Sequence, residues 1–474
     1  MKKLIALAFS LLVSVLVFAE ETPIQNLHSY KLKNGLELYV AENHTVPLAY
    51  IEICVRGGAM AQSAENAGVF HLYEHMMFKG NKKYKTAEEM QAAIKELGVA
   101  EWNGSTSAEF VNYFFTVPAD KLAQGLEFWN DAIRFPKMDK REFEAEKDVV
   151  LSELDGIYAN PAYAAEDLVS EKMFPEATWC RSAIGYKDVV SAATIKQLKT
   201  IQKEYYIPNN AALFVGGDVN PDEVYALVEK IWGSWKKGKN PWEKNNRQYT
   251  QTPLNQTEFY VLPFDQISPQ MAQIQIIMRG PDGEFNRDDT YAPDLLFTFA
   301  EDPASTFKQS LVSNPNLGIP DPNYVSIGYL TFGREGLITS NAIVLSPEIY
   351  LPERTKLFVD EVKGLVNTLL PDESQQSQLA RQIAIQRFHN RRCYEMETPE
   401  TLLSGLRFWW VSTGADYYYD YIEKLSATTA DQMEAFLNKY IVNANQLVIV
   451  YVNPDVYEAC KVEYEENGFI KIGK

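Results

Sequence analysis

Residues 48–56 (LAYIEICVR) and 110–117 (FVNYFFTV) are nearly continuous runs of apolar, β-branched and aromatic residues, which predict strands. Between them the apolar period lengthens to three and four, predicting helices over 68–78 and 86–97. Thr86 with Glu89 makes a capping box for the second helix, and Gly98 supplies its stop. Over 140–160, Phe143, Glu146, Val150, Glu153 and Ile157 fall on one helical face, so two glutamates lie within an apolar stripe. Strands and helices mixed in this way predict an α+β fold built on antiparallel sheet.

The pattern occurs twice. Residues 191–198 lead to Tyr205, an asparagine pair, an apolar run at 212–215 and Asn220-Pro221-Asp222; about 235 residues later, 426–433 lead through Tyr440 and the run 447–451 to Asn453-Pro454-Asp455. The beginnings also match, AYIEICVRG at 49–57 against AQIQIIMRG at 272–280. Two tandem homologous α/β-roll domains follow, one over 20–235 and one over 253–474. The polar stretch 236–252, rich in Lys, Asn, Gln and Trp and without apolar periodicity, is the expected linker.

The first 19 residues have a different character. Lys2 and Lys3 precede the apolar run 4–18, which ends at Ala19 before two glutamates, the pattern of a secretory signal peptide cleaved after Ala19. That run is short for a membrane span, and no later stretch reaches spanning length without charges. The expected mature chain is exported, to the periplasm or the medium. A net charge of −18 argues against a nucleic-acid partner, and 46% hydrophobic content supports full folding. Four cysteines, at 54, 180, 393 and 460, lack CxxC spacing and suggest neither a disulfide framework nor a metal cluster.

Chemistry concentrates at 71–75, His-Leu-Tyr-Glu-His, which uses two of the chain's five histidines. On a helix His71 and His75 stand one turn apart and aim two imidazoles at one point, with Glu74 beside them. This is the order of the inverted zinc-protease motif. A catalytic zinc takes three protein ligands and a water, so one ligand is still missing. The expected third is a buried carboxylate from the 140–160 helix, where Glu146 and Glu153 lie two turns apart; one would ligate and the other would hydrogen-bond a ligand histidine. Spacing alone leaves the choice open. The second half has no histidine near the corresponding positions 294–298, so the metal site belongs to the first half.

These motifs resemble the pitrilysin and insulin-degrading-enzyme family of inverted zincins, particularly its two-domain, processing-peptidase-like branch. The resemblance rests on Arg56-Gly57-Gly58, Gly68-Val69, the 71–75 motif and Met77-Phe78-Lys79-Gly80. It implies two domains facing each other as a clamshell around a chamber, one Zn2+ held by His71, His75 and Glu153, Glu146 as supporting carboxylate and Glu74 as general base. It also implies that Asn103, Gly104, Ser105 and Thr106 form a substrate-binding edge strand for peptides. One departure stands out. Family members carry an arginine and a tyrosine about seven residues apart in a C-terminal domain, whereas here Val312 and Ile319 occupy the corresponding places, with Tyr324 the nearest tyrosine. The expectation is an endopeptidase acting as a homodimer, or as a heterodimer with a related subunit that supplies the Arg/Tyr pair. The alternative is a non-catalytic assembly or peptide-binding subunit of the same fold.

Overall fold

The computed structural model describes residues 24, 26–175, 182–244, 253–372 and 374–473. The expected signal peptide, residues 245–252 of the expected linker, and Cys180 lie outside the described residues; Cys54, Cys393 and Cys460 are free thiols.

Among the described residues twelve strands form two six-stranded sheets of the same design. The first contains β1 (Leu27–Lys31), β2 (Glu37–Glu42), β3 (Leu48–Arg56), β4 (Trp102–Thr106), β5 (Phe110–Pro118) and β6 (Ala211–Gly217), in the order β1-β2-β6-β3-β5-β4. The second contains β7 (Glu258–Pro263), β8 (Met271–Arg279), β9 (Val325–Thr331), β10 (Gly336–Leu345), β11 (Leu447–Val452) and β12 (Ile470–Lys471), in the order β12-β7-β11-β8-β10-β9. Omitting β1 and β12, the two orders superpose strand for strand, as the internal repeat requires. The α+β architecture is as expected, but the sheets are mixed. β2 runs parallel to β6, and β7 to β11, because the last long strand of each half returns beside the first only after several helices.

The helices that matter for the site are α1 (Val69–Met76), α2 (Ala87–Glu96), α3 (Leu122–Arg134), α4 (Lys140–Tyr158) and α5 (Ala162–Met173) in the first half. Their counterparts in the second include α6 (Tyr291–Ala300), α7 (Gln375–Glu395) and α8 (Pro399–Ser412). The expected capping box of α2 is half formed. Thr86 accepts the Glu89 amide, but the Glu89 carboxylate takes the amide of Lys85 instead of closing on Thr86.

Each sheet packs its own helices on one face and receives a helix from the other half on the opposite face. Leu72, Tyr73, Met90, Phe128, Trp129 and Phe143, from the first half's helices, pack with β3 and β5 in its own core. Across the sheet, Leu402, Leu403, Leu406 and Trp410 of α8 cover Tyr39, Tyr50, Cys54 and Phe214. In return, Ala165 and Met173 of α5, with Phe174, cover Ile277, Leu447 and Ile449 of the second sheet. α5 and α8 occupy equivalent places in the repeat, so the exchange is reciprocal. Among the described residues no helix is long and apolar enough to cross a membrane.

One carboxylate at this junction makes stability depend on pH. Glu109, at the turn between β4 and β5, is buried; it accepts a hydrogen bond from Ser412 Oγ at 2.5 Å and one from the Gly333 amide at 2.8 Å. Burial pushes its carboxyl up from 4.5 to about 7, against the pull of those two donors. A group whose native pKa is raised contributes stability that is complete below about pH 4.5 and is lost as pH climbs through about 7, on the order of 3 kcal/mol in all. Glu109→Gln keeps an acceptor for Gly333 and removes the titration. Urea unfolding of the metal-free protein should show the variant's midpoint rising relative to the parent between pH 5 and pH 8. A difference that does not change with pH would refute the assignment.

Candidate active site

α1 is apolar around most of its circumference, with Val69, Phe70, Leu72, Tyr73 and Met76 buried. Phe70 meets Tyr205 edge-on and Tyr73 packs on Tyr206, which holds the helix in one rotation. Gly68 enters it at φ +89°, and a Cβ there would stand 2.4 Å from the Ile184 carbonyl oxygen, so glycine is required. The remaining arc presents His71 and His75, their rings 4.7 Å apart and nearly perpendicular.

α4 crosses α1 and brings up both candidate carboxylates. Asp139 caps it, accepting the amides of Arg141 and Glu142. Its buried positions are Phe143, Glu146, Val150 and Leu154, which differs from the expected stripe. Glu153 is not buried; 43% of its side-chain surface is exposed. A straight helix drifts about 20° per heptad, and over that interval Leu154 takes the inward place while Glu153 turns toward the cavity. There its Oε2 lies 3.9 Å from His71 Nε2 and 3.8 Å from His75 Nε2. Glu146 remains inside and its Oε2 meets His75 Nδ1 at 3.0 Å.

His71, His75 and Glu153 are the only group of three or more metal-ligating side chains among the described residues. Their donor atoms are too far apart for hydrogen bonds. Bonds of about 2.0–2.2 Å in a tetrahedral shell put donors roughly 3.3–3.5 Å apart, and these donors lie within 4.8 Å of one another, so the group closes up to seat a zinc ion. An N–H at Nδ1 of His75, directed at Glu146, leaves the Nε2 lone pair facing the same point. The donor set therefore fits zinc. Lys79 Nζ contacts the other oxygen of Glu146 at 2.6 Å. His75 and Lys79 together hold that carboxyl below its usual range despite the opposing effect of burial. Burial lowers His71 to about 4, with His75 adding to the effect, so its ring is neutral at physiological pH, as a ligand must be. For His75, burial pulls downward, but Glu146, Glu74 and Glu153 outweigh it and leave the group raised.

Glu74 stands apart from these donors. It is buried, its Oε2 is 4.0 Å from His71 Nε2, and it accepts a hydrogen bond from Thr106 Oγ1 at 3.1 Å. Burial raises its pKa over the opposing effects of His75 and Thr106.

Asn103, Gly104, Ser105 and Thr106 all lie in β4, which among the described residues pairs with β5 and with no other strand. Side chains alternate along it. Thr106 faces Glu74, while Ser105 turns to the other side and donates to Asn112 Oδ1 at 2.6 Å. A Cβ on Gly104 would stand 3.0 Å from the rings of Phe78 and Tyr113, so the strand lies directly on the aromatic residues beside α1. A cavity of about 730 Å³ opens here. Its wall includes His71, Thr106, Tyr163 and Asp167 from the first half, and Gln275, Ile277, Leu330 and Tyr451 from the second. Among the described residues no arginine lines it, and Val312, Ile319 and Tyr324 stand elsewhere in the second half. Sequence reasoning named Thr106 only for substrate and missed its bond to Glu74. It also missed the contact of Lys79 with Glu146, although Lys79 lies in the block that carries the resemblance, one turn beyond His75.

In the second half, the repeat puts Asp294 where His71 stands and Arg381 and Phe388 where Glu146 and Glu153 stand. Asp294 bonds to the Tyr421 hydroxyl.

A family model described as Insulinase (Peptidase family M16) matches residues 38–185, and one described as Peptidase M16 inactive domain matches residues 192–378. The chain is 26% identical over 211 residues to an uncharacterized zinc protease, YmxG, of Bacillus subtilis, covering 44% of this chain and 51% of that one. It is 25% identical over 223 residues to the mitochondrial-processing peptidase subunit beta of Dictyostelium discoideum, 47% of this chain and 46% of that one. It thus spans about half the length of these curated relatives. Among solved structures, the periplasmic protease PqqL from Escherichia coli superposes with a TM-score of 0.74 at 16% identity, over 94% of this chain and 50% of that one. A protease from Helicobacter pylori superposes with a TM-score of 0.69 at 18% identity, over 91% and 100%. At these identities the superpositions show the shared fold.

Proposed function

Since the chain belongs to the insulinase family of peptidases, peptidase family M16, we propose that it is an exported zinc-dependent endopeptidase that cuts peptides or unfolded segments between its two halves. The observation that carries this reading is the convergence of His71, His75 and Glu153 beside a separate buried acid, Glu74, at the end of an open edge strand. Zinc held by those three groups would supply a Lewis acid that polarises a carbonyl and makes water acidic near neutral pH. Glu74 takes the proton of the attacking water and returns it to the leaving amine, and the raised pKa that burial gives it suits both transfers. Thr106 fixes the Glu74 carboxylate for that exchange. Glu146 and Lys79 hold the His75 ring in orientation. β4 accepts the peptide by backbone hydrogen bonds along its free edge, which sets the scissile bond beside Glu74.

Among the described residues no arginine lines the cavity, which supports a dimer with a related chain that supplies the Arg/Tyr pair. The same absence favours the second reading, a peptide-binding or assembly subunit. Against it stands the costly retention of a partly buried ionisable cluster. Export is supported by the signal-like N-terminal sequence and by the periplasmic location in the name of the similar Escherichia coli structure. Purified mature chain is expected to cleave members of a quenched-fluorescent peptide library, to lose that activity to a zinc chelator and to regain it with zinc. Stoichiometric zinc without cleavage, alone and with every co-purifying partner, would overturn the peptidase reading in favour of the binding subunit.

A further inference from the structure

Glu52 has no exposed surface and lies in the middle of β3, on the sheet face that α8 covers. A carboxylate in that position persists only with partners. Tyr50 donates to its Oε2 at 2.9 Å, and Asn112 Nδ2 donates to its Oε1 at 2.6 Å. The compensating charge comes from the other half of the molecule, where Arg407 of α8 brings Nε to 2.8 Å from Oε1. Asn112 passes the contact on, since its Oδ1 accepts from Ser105 Oγ in β4. One polar chain therefore runs from α8 through Glu52 and Asn112 to the edge strand. α8 touches the same region twice more. Arg56, at the end of β3, lies over the Trp410 ring at 3.7 Å and donates to the Trp410 carbonyl, and Ser412 holds Glu109 in the β4–β5 turn.

We infer that Arg407, Glu52 and Asn112 are positioning residues for peptide capture, so that the metal-free half is part of the substrate site. An edge strand has backbone partners on one side only, and a peptide adding to the other side needs that strand held straight before it arrives. β4 is fixed from behind by Ser105 at the end of this chain, while Thr106, its neighbour, reaches forward to Glu74. Releasing Ser105 loosens the strand without touching the metal donors. The inference rests on the reading of β4 as the peptide-binding strand, and the experiment separates the two.

Glu52→Gln/Arg407→Leu removes both charges together, leaves an amide carbonyl for Asn112, reverses the Tyr50 contact so that the amide donates to the hydroxyl, and cuts the link to α8; replacing a buried ion pair as a unit commonly preserves stability. Arg407→Lys serves as the conservative variant. Each is made in a Glu74→Gln background, where a fluorescein-labelled unstructured peptide binds without turnover. Relative to that background, the double variant should keep its melting temperature and zinc stoichiometry. It should lose hydrogen-exchange protection at the β4 amides and bind the peptide roughly ten- to a hundredfold more weakly. Arg407→Lys should recover most of both. Unchanged protection at β4 would overturn the positioning role. Lost protection with unchanged peptide affinity would overturn the assignment of β4 as the peptide strand.

Discussion

Glu74→Gln is expected to lower peptide turnover by roughly 10²–10⁴-fold while leaving zinc content unchanged. The amide has the size of the carboxylate, and its oxygen can still accept the Thr106 hydroxyl, so packing and the edge strand are undisturbed. Only the ability to take and return a proton is lost. Glu74 contributes none of the three converging donors, which is why zinc is expected to stay. Turnover numbers measured beside metal analysis of the same preparation test both halves of the statement. Full turnover in the variant would remove Glu74 from the chemistry, and loss of zinc would make it a ligand.

The second large effect separates two glutamates that the sequence pattern leaves equivalent. Glu153→Gln should weaken zinc binding by roughly 10³-fold, because one of three ligands is lost. Glu146→Gln should weaken it by about 10–100-fold, the range for a residue that orients a ligand. The ordering follows from which nitrogen each acid meets. Glu153 lies near the Nε2 atoms of both histidines, whereas Glu146 contacts Nδ1 of His75 and is itself held by Lys79. Competition with a zinc-binding dye at fixed pH gives both constants. A larger loss in Glu146→Gln would exchange the two roles.

Much of the first half was legible because local and tertiary demands agree there. β3 occupies 48–56 as its apolar run predicts, and α1 begins after a left-handed glycine that the pattern marks. The repeat was visible because both halves fill the same strand positions with the same kinds of residue. Three features were out of reach for physical reasons. Periodicity put Glu153 in the buried stripe because it treats a helix as a strict heptad, while the helix drifts and packs Leu154 inward. The parallel strand pairs depend on where a strand returns after a crossover, which no local window contains. The network through Glu52 joins residues more than 350 positions apart, and in sequence Glu52 is merely a polar interruption of an apolar run. Tyr418, buried beside Tyr417 and Tyr421, packs with the first half's sheet, a placement that no local window contains.

The exchange of α5 and α8 also imposes a timetable on synthesis. β6 closes the first sheet at Gly217, but the helix that shields its second face begins at Pro399, about 180 residues later. At ribosomal rates that interval is roughly 10–35 s. Throughout it the face that carries Tyr39, Tyr50, Cys54 and Phe214 lacks its native cover, so the nascent first half is expected to expose apolar surface until the second half arrives.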